Sequence, residues 1–135
     1  MIFADAGYFI ALSMSRDALH SRARGWSDVV TDRVVTTEYV LWECVNFLAK
    51  GVLRSKADAL VEYLTTDPDC DLVRATPALF DEGMSLFRRR TDKDWSLTDC
   101  VSFHVMQQYG ISKALAHDRH FEEAGFQALL RVDPP

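Results

Sequence analysis

Short apolar runs alternate along the chain with longer segments of helical periodicity. The runs at residues 2–4 and around Val34 and Val35 are typical of buried strands. In residues 38–49 the apolar side chains follow helical spacing, at Val40, Leu41, Cys44, Val45 and Leu48, which predicts an amphipathic helix. Strands that alternate with helices favour an α/β layer fold with a mostly parallel sheet.

The boundaries of the predicted elements follow from this periodicity and from turn residues. Strands are predicted at 2–4, 33–36, 72–75, 113–116 and, as an edge strand, 126–132. Helices are predicted at 8–14, 17–30, 38–49, 55–64, 76–89, 96–109 and 119–124. Ser55 and Ser96 are predicted N-caps, Gly51 and Gly110 are predicted stops, and proline follows Thr76 in a first helical turn.

Composition favours one globular domain over residues 1–135. The chain has 48% hydrophobic residues, and its 15 basic and 20 acidic residues give a net charge of −5. This apolar content excludes disorder as the main state, and the length is that of a single domain. Charges interrupt every apolar stretch well short of the ~20 residues that a membrane span needs. The acidic balance does not favour non-specific binding to nucleic acid, although an acidic metal pocket would still be compatible with a nuclease.

Cysteine usage indicates a cytoplasmic protein. Cys44, Cys70 and Cys100 are odd in number and include no Cys-x-x-Cys pair, which argues against a disulfide framework or a thiolate zinc site. The first residues have no basic segment and reach Asp5 at once, so a secretory signal is not expected.

Two acidic residues follow predicted strands, where ligand sites of parallel α/β sheets lie. Asp5 ends the first strand, and Asp118, preceded by His117, ends the fourth. If these strands are neighbours, the two carboxylates converge. The alternative for each residue is a helix N-cap, a position that Asp favours.

Three acids in predicted helices are further candidates or competitors for the site. Glu43 stands in an apolar stretch, where a Glu is rarely buried unless it is paired, although it can also lie on the polar edge of the helix. Glu38 lies in the first turn of that helix, where the helix dipole already accounts for it. Asp99 completes a capping box with Ser96, yet the same helix end faces the predicted pocket, and capping does not exclude metal binding.

Converging carboxylates indicate a site for Mg²⁺ or Mn²⁺, because hard cations prefer oxygen ligands. Two unit charges about 4 Å apart repel by about 4 kcal/mol at an effective dielectric constant near 20. Several acids therefore need either a proton or a cation between them. A cation there can activate water and neutralise a scissile phosphate.

Other polar residues carry weaker hypotheses. His117 is a candidate supporting residue beside Asp118, although a lone histidine is more often structural. The basic residues Arg88, Arg89, Arg90 and Lys93 are either a solvated helix end favoured by the dipole or a contact for RNA or an acidic partner.

Four segments in order along the chain resemble a PIN domain, most closely the VapC-type toxin branch. They are residues 3–9 (FADAGYF), 36–43 (TTEYVLWE), 96–103 (SLTDCVSF) and 114–121 (ALAHDRHF). The resemblance implies a three-layer α/β/α fold with a short, mostly parallel sheet flanked by helices. It also implies a Mg²⁺- or Mn²⁺-dependent endoribonuclease.

The acids of the family carry over to Asp5, Glu43, Asp99 and Asp118 as catalytic and metal-binding residues. The motif Ser-x-x-Asp-Cys-x-Ser-Phe selects Asp99 rather than Asp94, and Ser96 matches the hydroxyl residue of that motif. The sequence departs from the family pattern at Gly7, where Ser or Asn is frequent, and at His117, where Thr, Ser or Asn is common.

The resemblance also implies partners: an RNA substrate, a cognate antitoxin that blocks the acidic pocket, and a second copy in a homodimer. One alternative is a catalytically silent PIN domain that binds RNA or a protein. Another is a phosphoacceptor receiver domain, which needs adjacent acids after its first strand and a lysine at the end of a late strand. Asp5 has no acidic neighbour and Lys113 begins its strand, so this second alternative fits poorly.

Overall fold

Five short parallel strands form the centre of the computed structural model, which describes residues 1–135. The strands are β1 (Ile2–Ala4), β2 (Val34–Thr37), β3 (Cys70–Val73), β4 (Lys113–Leu115) and β5 (Gln127–Ala128). Their order in the sheet is β3-β2-β1-β4-β5, and each neighbouring pair is parallel. The predicted parallel sheet is confirmed, and β1 and β4 are neighbours, as the convergence of Asp5 and Asp118 requires.

Seven α-helices surround the sheet. They are α1 (Ala6–Ser13), α2 (His20–Val29), α3 (Glu38–Phe47), α4 (Arg54–Thr66), α5 (Pro77–Arg89), α6 (Leu97–Tyr109) and α7 (His120–Glu123). Two 3₁₀ turns, Gly51–Leu53 and Leu129–Arg131, complete the regular structure. None of the helices combines the length and the apolar character that a membrane crossing requires.

The strand β1 lies in the middle of the core. All of its residues are buried, as in a strand that is covered on both faces of the sheet. Phe3 packs against Phe121 of α7, and the Phe121 ring lies 5.0 Å from the ring of Phe103 in α6. This aromatic contact connects β1, α6 and α7.

Helix α6 begins and ends at the predicted residues. The Ser96 side chain caps its N-terminus, and Gly110 follows it with φ 66°, a left-handed conformation that glycine adopts without strain. Helix α5 likewise begins after the predicted cap Thr76, whose hydroxyl accepts a hydrogen bond from the Leu79 N–H.

Some predicted boundaries are wrong. Ser55 is not an N-cap, because the 3₁₀ turn leads directly into α4 and the Ser55 hydroxyl donates to the Val52 carbonyl instead. The predicted strand 72–75 lies two residues earlier, because the Ala75 N–H donates to the Glu38 carboxylate rather than to the sheet. The predicted edge strand 126–132 is short, since the chain turns at Leu129 to bury two leucines and the Leu130 N–H donates to Ala116.

Candidate metal centre

Asp5 stands at the junction of β1 and α1. Its backbone N–H donates to the Leu115 carbonyl of β4 (3.1 Å), which fixes the end of β1 beside the end of β4. Asp5 occupies the N-cap position of α1, with φ −96° and ψ 166°, but its side chain makes no capping hydrogen bond. The carboxylate of Asp5 is therefore not used to cap α1.

The pKa of Asp5 is raised from 3.8 to about 7. Burial is the largest cause, because it disfavours the charged form. The negative charges of Asp99, Glu43 and Asp118 raise the pKa further, while the Ala6 backbone N–H opposes the rise. The structure thus brings the other three predicted acids within electrostatic range of Asp5, and the Asp5 carboxyl is partly protonated near neutral pH when no cation is present.

Asp99 is the third residue of α6 and forms the predicted capping box. The Asp99 N–H donates to the Ser96 hydroxyl (3.0 Å), and the Ser96 N–H donates to Asp99 Oδ2 (3.1 Å). The same oxygen lies 3.0 Å from Nδ1 of His120. The Asp99 side chain is only 13% exposed. Capping and a place in the acidic site therefore coexist in one residue.

Asp118 lies in the loop between β4 and α7. Its Oδ1 accepts a hydrogen bond from the His120 backbone N–H (2.9 Å) and lies 3.4 Å from Nδ1 of the same histidine. One possible ligand atom from each of Asp99, Asp118 and His120 falls within a cluster whose members are all within 4.8 Å of one another. This compact cluster is suited to a cation.

Glu43 lies exposed on α3, at the edge of the site, and acts on Asp5 through its charge. Glu38, its competitor in the same helix, has a structural role. Its carboxylate accepts hydrogen bonds from the Ala75 N–H (2.7 Å) and the Arg74 guanidinium (3.1 Å). The Glu38 carboxylate is therefore already engaged by the segment that follows β3.

His120 is the residue that sequence reasoning misses. His117 is the expected histidine, but it is exposed, and its only hydrogen bond is through its carbonyl, which accepts from Arg131. The sequence signal that could have found His120 is its position two residues after Asp118, because Asp side chains often accept a hydrogen bond from the N–H two residues further along the chain. That turn brings residue 120, rather than residue 117, back to Asp118.

The four basic residues Arg88, Arg89, Arg90 and Lys93 divide into two pairs. The Arg90 guanidinium forms two hydrogen bonds with Asp92 and lies 4.8 Å from the centre of the Trp95 ring, while Lys93 Nζ is 4.0 Å from Glu123. Arg88 and Arg89 are exposed at the end of α5 and make no salt bridge. Arg90 and Lys93 thus have acidic partners, whereas Arg88 has none and Arg89 donates only to the Ser85 hydroxyl (3.2 Å).

The residues present fit a hard divalent cation. Asp5, Glu43, Asp99 and Asp118 supply carboxylate oxygens, which Mg²⁺ and Mn²⁺ prefer. A cavity of about 640 Å³ lies between α1, α4 and the amino ends of β2 and β3, and none of these acids lines it. The acidic centre lies at the opposite, carboxyl end of the sheet.

The parallel sheet with acids at the carboxyl ends of its strands defines the class of protein. Residues 2–127 match the family model of the PIN domain, and the chain belongs to the PIN domain family.

Among the proteins to which the chain is similar is the 23S rRNA-specific endonuclease VapC20 of Mycobacterium tuberculosis. The two sequences are 29% identical over 93% of this chain and 95% of VapC20, in each of two strains. The crystal structure of VapC20, described as a toxin that cleaves the sarcin–ricin loop, aligns with a TM-score of 0.84 at 26% identity, over 93% of this chain and 96% of that one. FitAcB from Neisseria gonorrhoeae shares the fold, with a TM-score of 0.64 at 18% identity over 95% of both chains.

Proposed function

We propose that the protein is a divalent-metal-dependent endoribonuclease, in which residues 1–135 act as one PIN domain and Asp5, Glu43, Asp99 and Asp118 form the active site. One observation carries the proposal: Asp5, held beside the end of β4, lies at the same end of the sheet as the cluster of Asp99, Asp118 and His120, whose possible ligand atoms are all within 4.8 Å of one another. A site that concentrates carboxylates in this way favours binding of a cation. The similarity to a 23S rRNA-specific endonuclease supports RNA as the substrate.

Mg²⁺ or Mn²⁺ is the proposed cofactor. Asp5, Glu43 and Asp99 hold the cation, and Asp118 either orients the attacking water or holds a second cation. A bound divalent cation lowers the pKa of water and neutralises charge on the scissile phosphate. Ser96 supports the site by fixing one oxygen of Asp99 through its backbone N–H.

The departures from the family pattern leave this arrangement intact. Gly7 is exposed, and a Cβ at that position would meet nothing within 4 Å, so packing does not demand glycine there. His117 is exposed and takes no part in the cluster of Asp99, Asp118 and His120.

Arg88 and Arg89 are the proposed contacts for the phosphates of RNA, since they are exposed and free of acidic partners.

A role as the toxin of a toxin–antitoxin pair is the finer proposal. VapC20 is itself described as a toxin, and this similarity supports an antitoxin protein as a partner. A homodimer is supported by large apolar side chains that are exposed on two helices: Trp42 and Phe47 on α3, and Phe80 and Phe87 on α5. Where exposed apolar side chains form a contiguous patch, they mark a protein–protein interface.

Cleavage of ribosomal RNA tests the proposed function. The full chain is incubated with 23S rRNA and with an oligonucleotide of the sarcin–ricin loop, in Mg²⁺, in Mn²⁺ and in EDTA. We expect cleavage that EDTA abolishes and that Asp5→Asn reduces about 100-fold or more, because a lost contribution of several kcal/mol has that effect.

Asp58→Asn is the matched control, since Asp58 is exposed on α4 and makes no salt bridge; its activity should equal that of the wild type. Cleavage that persists in EDTA, or in Asp5→Asn, contradicts the metal mechanism. Metal-independent binding of these RNAs without cleavage would favour a silent PIN domain.

A further inference from the structure

His120 contacts two acids that come from different elements. Its ring Nδ1 lies 3.0 Å from Oδ2 of Asp99 in α6 and 3.4 Å from Oδ1 of Asp118 in the loop after β4. An ionised carboxylate only accepts hydrogen bonds, so Nδ1 carries the hydrogen and donates. A single N–H group thus lies between two carboxylates that are 19 residues apart in sequence, from 99 to 118.

The hydrogen bonds of the two carboxylates use one oxygen of each. Asp99 Oδ2 accepts from the Ser96 N–H (3.1 Å) and from His120 Nδ1 (3.0 Å), whereas Asp99 Oδ1 has no donor. Asp118 Oδ1 accepts from the His120 backbone N–H (2.9 Å), whereas Asp118 Oδ2 has no donor. One oxygen of each acid is therefore oriented by the protein, and the other is available.

The position of His120 is fixed by the core. The next residue, Phe121, is fully buried and packs against Phe103 of α6 and Phe3 of β1. The His120 side chain is itself only 22% exposed. The imidazole is thus attached to the same packed cluster that holds α6 against β1.

We propose that His120 is a positioning residue of the metal centre, which holds Asp99 and Asp118 at a common spacing and leaves Asp99 Oδ1 and Asp118 Oδ2 for the cation. This inference rests on the proposed function. The rival role is direct ligation through Nδ1, but that atom is engaged with Asp99, and ligation would break this hydrogen bond. Partners that orient metal ligands contribute about 10- to 100-fold to metal affinity.

The experiment compares two substitutions by calorimetric titration of the full chain with Mg²⁺ and with Mn²⁺, without RNA. His120→Leu removes the donor. His120→Asn keeps one, because the asparagine Nδ2 is bonded to Cγ as Nδ1 is. We expect His120→Leu to weaken binding of both ions about 10- to 100-fold, and His120→Asn to restore most of the affinity. His104→Leu is the control and should bind like the wild type, because His104 lies beside Glu82 of α5 rather than beside the acids of the site.

Electron spin-echo spectroscopy of the wild type with Mn²⁺ bound adds a measurement that needs no variant to fold. We expect no hyperfine coupling from a directly bound imidazole nitrogen; such coupling would overturn the positioning role in favour of ligation. Unchanged metal affinity in His120→Leu, or equal losses in the Leu and Asn variants, would also overturn it while leaving the proposed function intact. A wild type that binds neither ion would overturn both.

Discussion

Asp5 and Asp99 both stand at the start of a helix, but only Asp99 uses its carboxylate as a cap. The difference follows from their surroundings. The Asp99 carboxylate has two donors, the Ser96 N–H and His120 Nδ1, which satisfy its charge. The Asp5 carboxylate is buried, lacks a capping bond and faces three like charges, so its pKa rises to about 7.

The raised pKa of Asp5 predicts how the stability of the metal-free protein depends on pH. The native state holds the Asp5 proton up to about pH 7, whereas the unfolded chain releases it near the ordinary value of 3.8. The native state therefore binds more protons between these values, and its free energy of unfolding falls as the pH rises through this window. Asp5→Asn removes this dependence.

Urea unfolding of both proteins in EDTA at several pH values measures the effect. We expect Asp5→Asn to match the wild type near pH 4 and to be more stable at pH 8, by up to a few kcal/mol before solvent screening. Titratable groups that the two proteins share contribute equally to both free energies of unfolding, so their contributions cancel in the difference. A difference that does not change with pH would contradict the raised pKa.

Among the elements, α5 and α6 are predictable from the capping residues at their starts, whereas Ser55, predicted as a cap, lies inside α4. Helix α6 has a capping box at Ser96 and a glycine at residue 110, and its predicted bounds are confirmed. The prediction fails where tertiary contacts decide, as at β3, which shifts because Glu38 takes the Ala75 N–H. Asp5 and Asp118 are predictable because they follow strands, whereas His120 is not, since its role needs α6 beside the loop after β4.

Alanine substitutions at two helical glycines should change the stability of the protein in opposite directions. Gly7 of α1 is exposed, and an added Cβ would enter open space, so Gly7→Ala should stabilise the protein by about 0.5–1 kcal/mol through reduced chain entropy. Gly83 of α5 is buried against Val101 of α6, whose Cα would lie 3.6 Å from an added Cβ and whose Cγ2 would clash with it. Gly83→Ala should therefore destabilise by about 1–3 kcal/mol.

Thermal and urea unfolding of the two variants in parallel measure these changes. The pair forms its own control, because both exchanges add one methyl group to a glycine within a helix. A stabilising Gly83→Ala would contradict the close packing of α5 on α6, and a destabilising Gly7→Ala would show that the start of α1 needs glycine.

Folding of the whole molecule concentrates negative charge at the carboxyl end of the sheet. Because β1 and β4 are neighbours, Asp5 comes to lie near Asp118, and helices α3 and α6 bring Glu43 and Asp99 to the same end. Like charges in one place oppose folding when no cation is present. A cation that binds only the native state reverses this cost through mass action.

The effect of Mg²⁺ on stability distinguishes a capping role of Asp99 from a role in the metal centre. The amide oxygen of Asp99→Asn can still accept from the Ser96 N–H and from His120 Nδ1, so the variant loses only part of these two hydrogen bonds, and the capping part is about 1 kcal/mol. The substitution also relieves repulsion with the other carboxylates. In EDTA near pH 7 we therefore expect the variant to be at least as stable as the wild type in urea unfolding. Saturating Mg²⁺ should stabilise the wild type by about 2.7 kcal/mol at 100 times Kd, Asp58→Asn equally, and Asp99→Asn much less. A variant that is less stable in EDTA and gains as much from Mg²⁺ as the wild type would mean that Asp99 serves only as a cap.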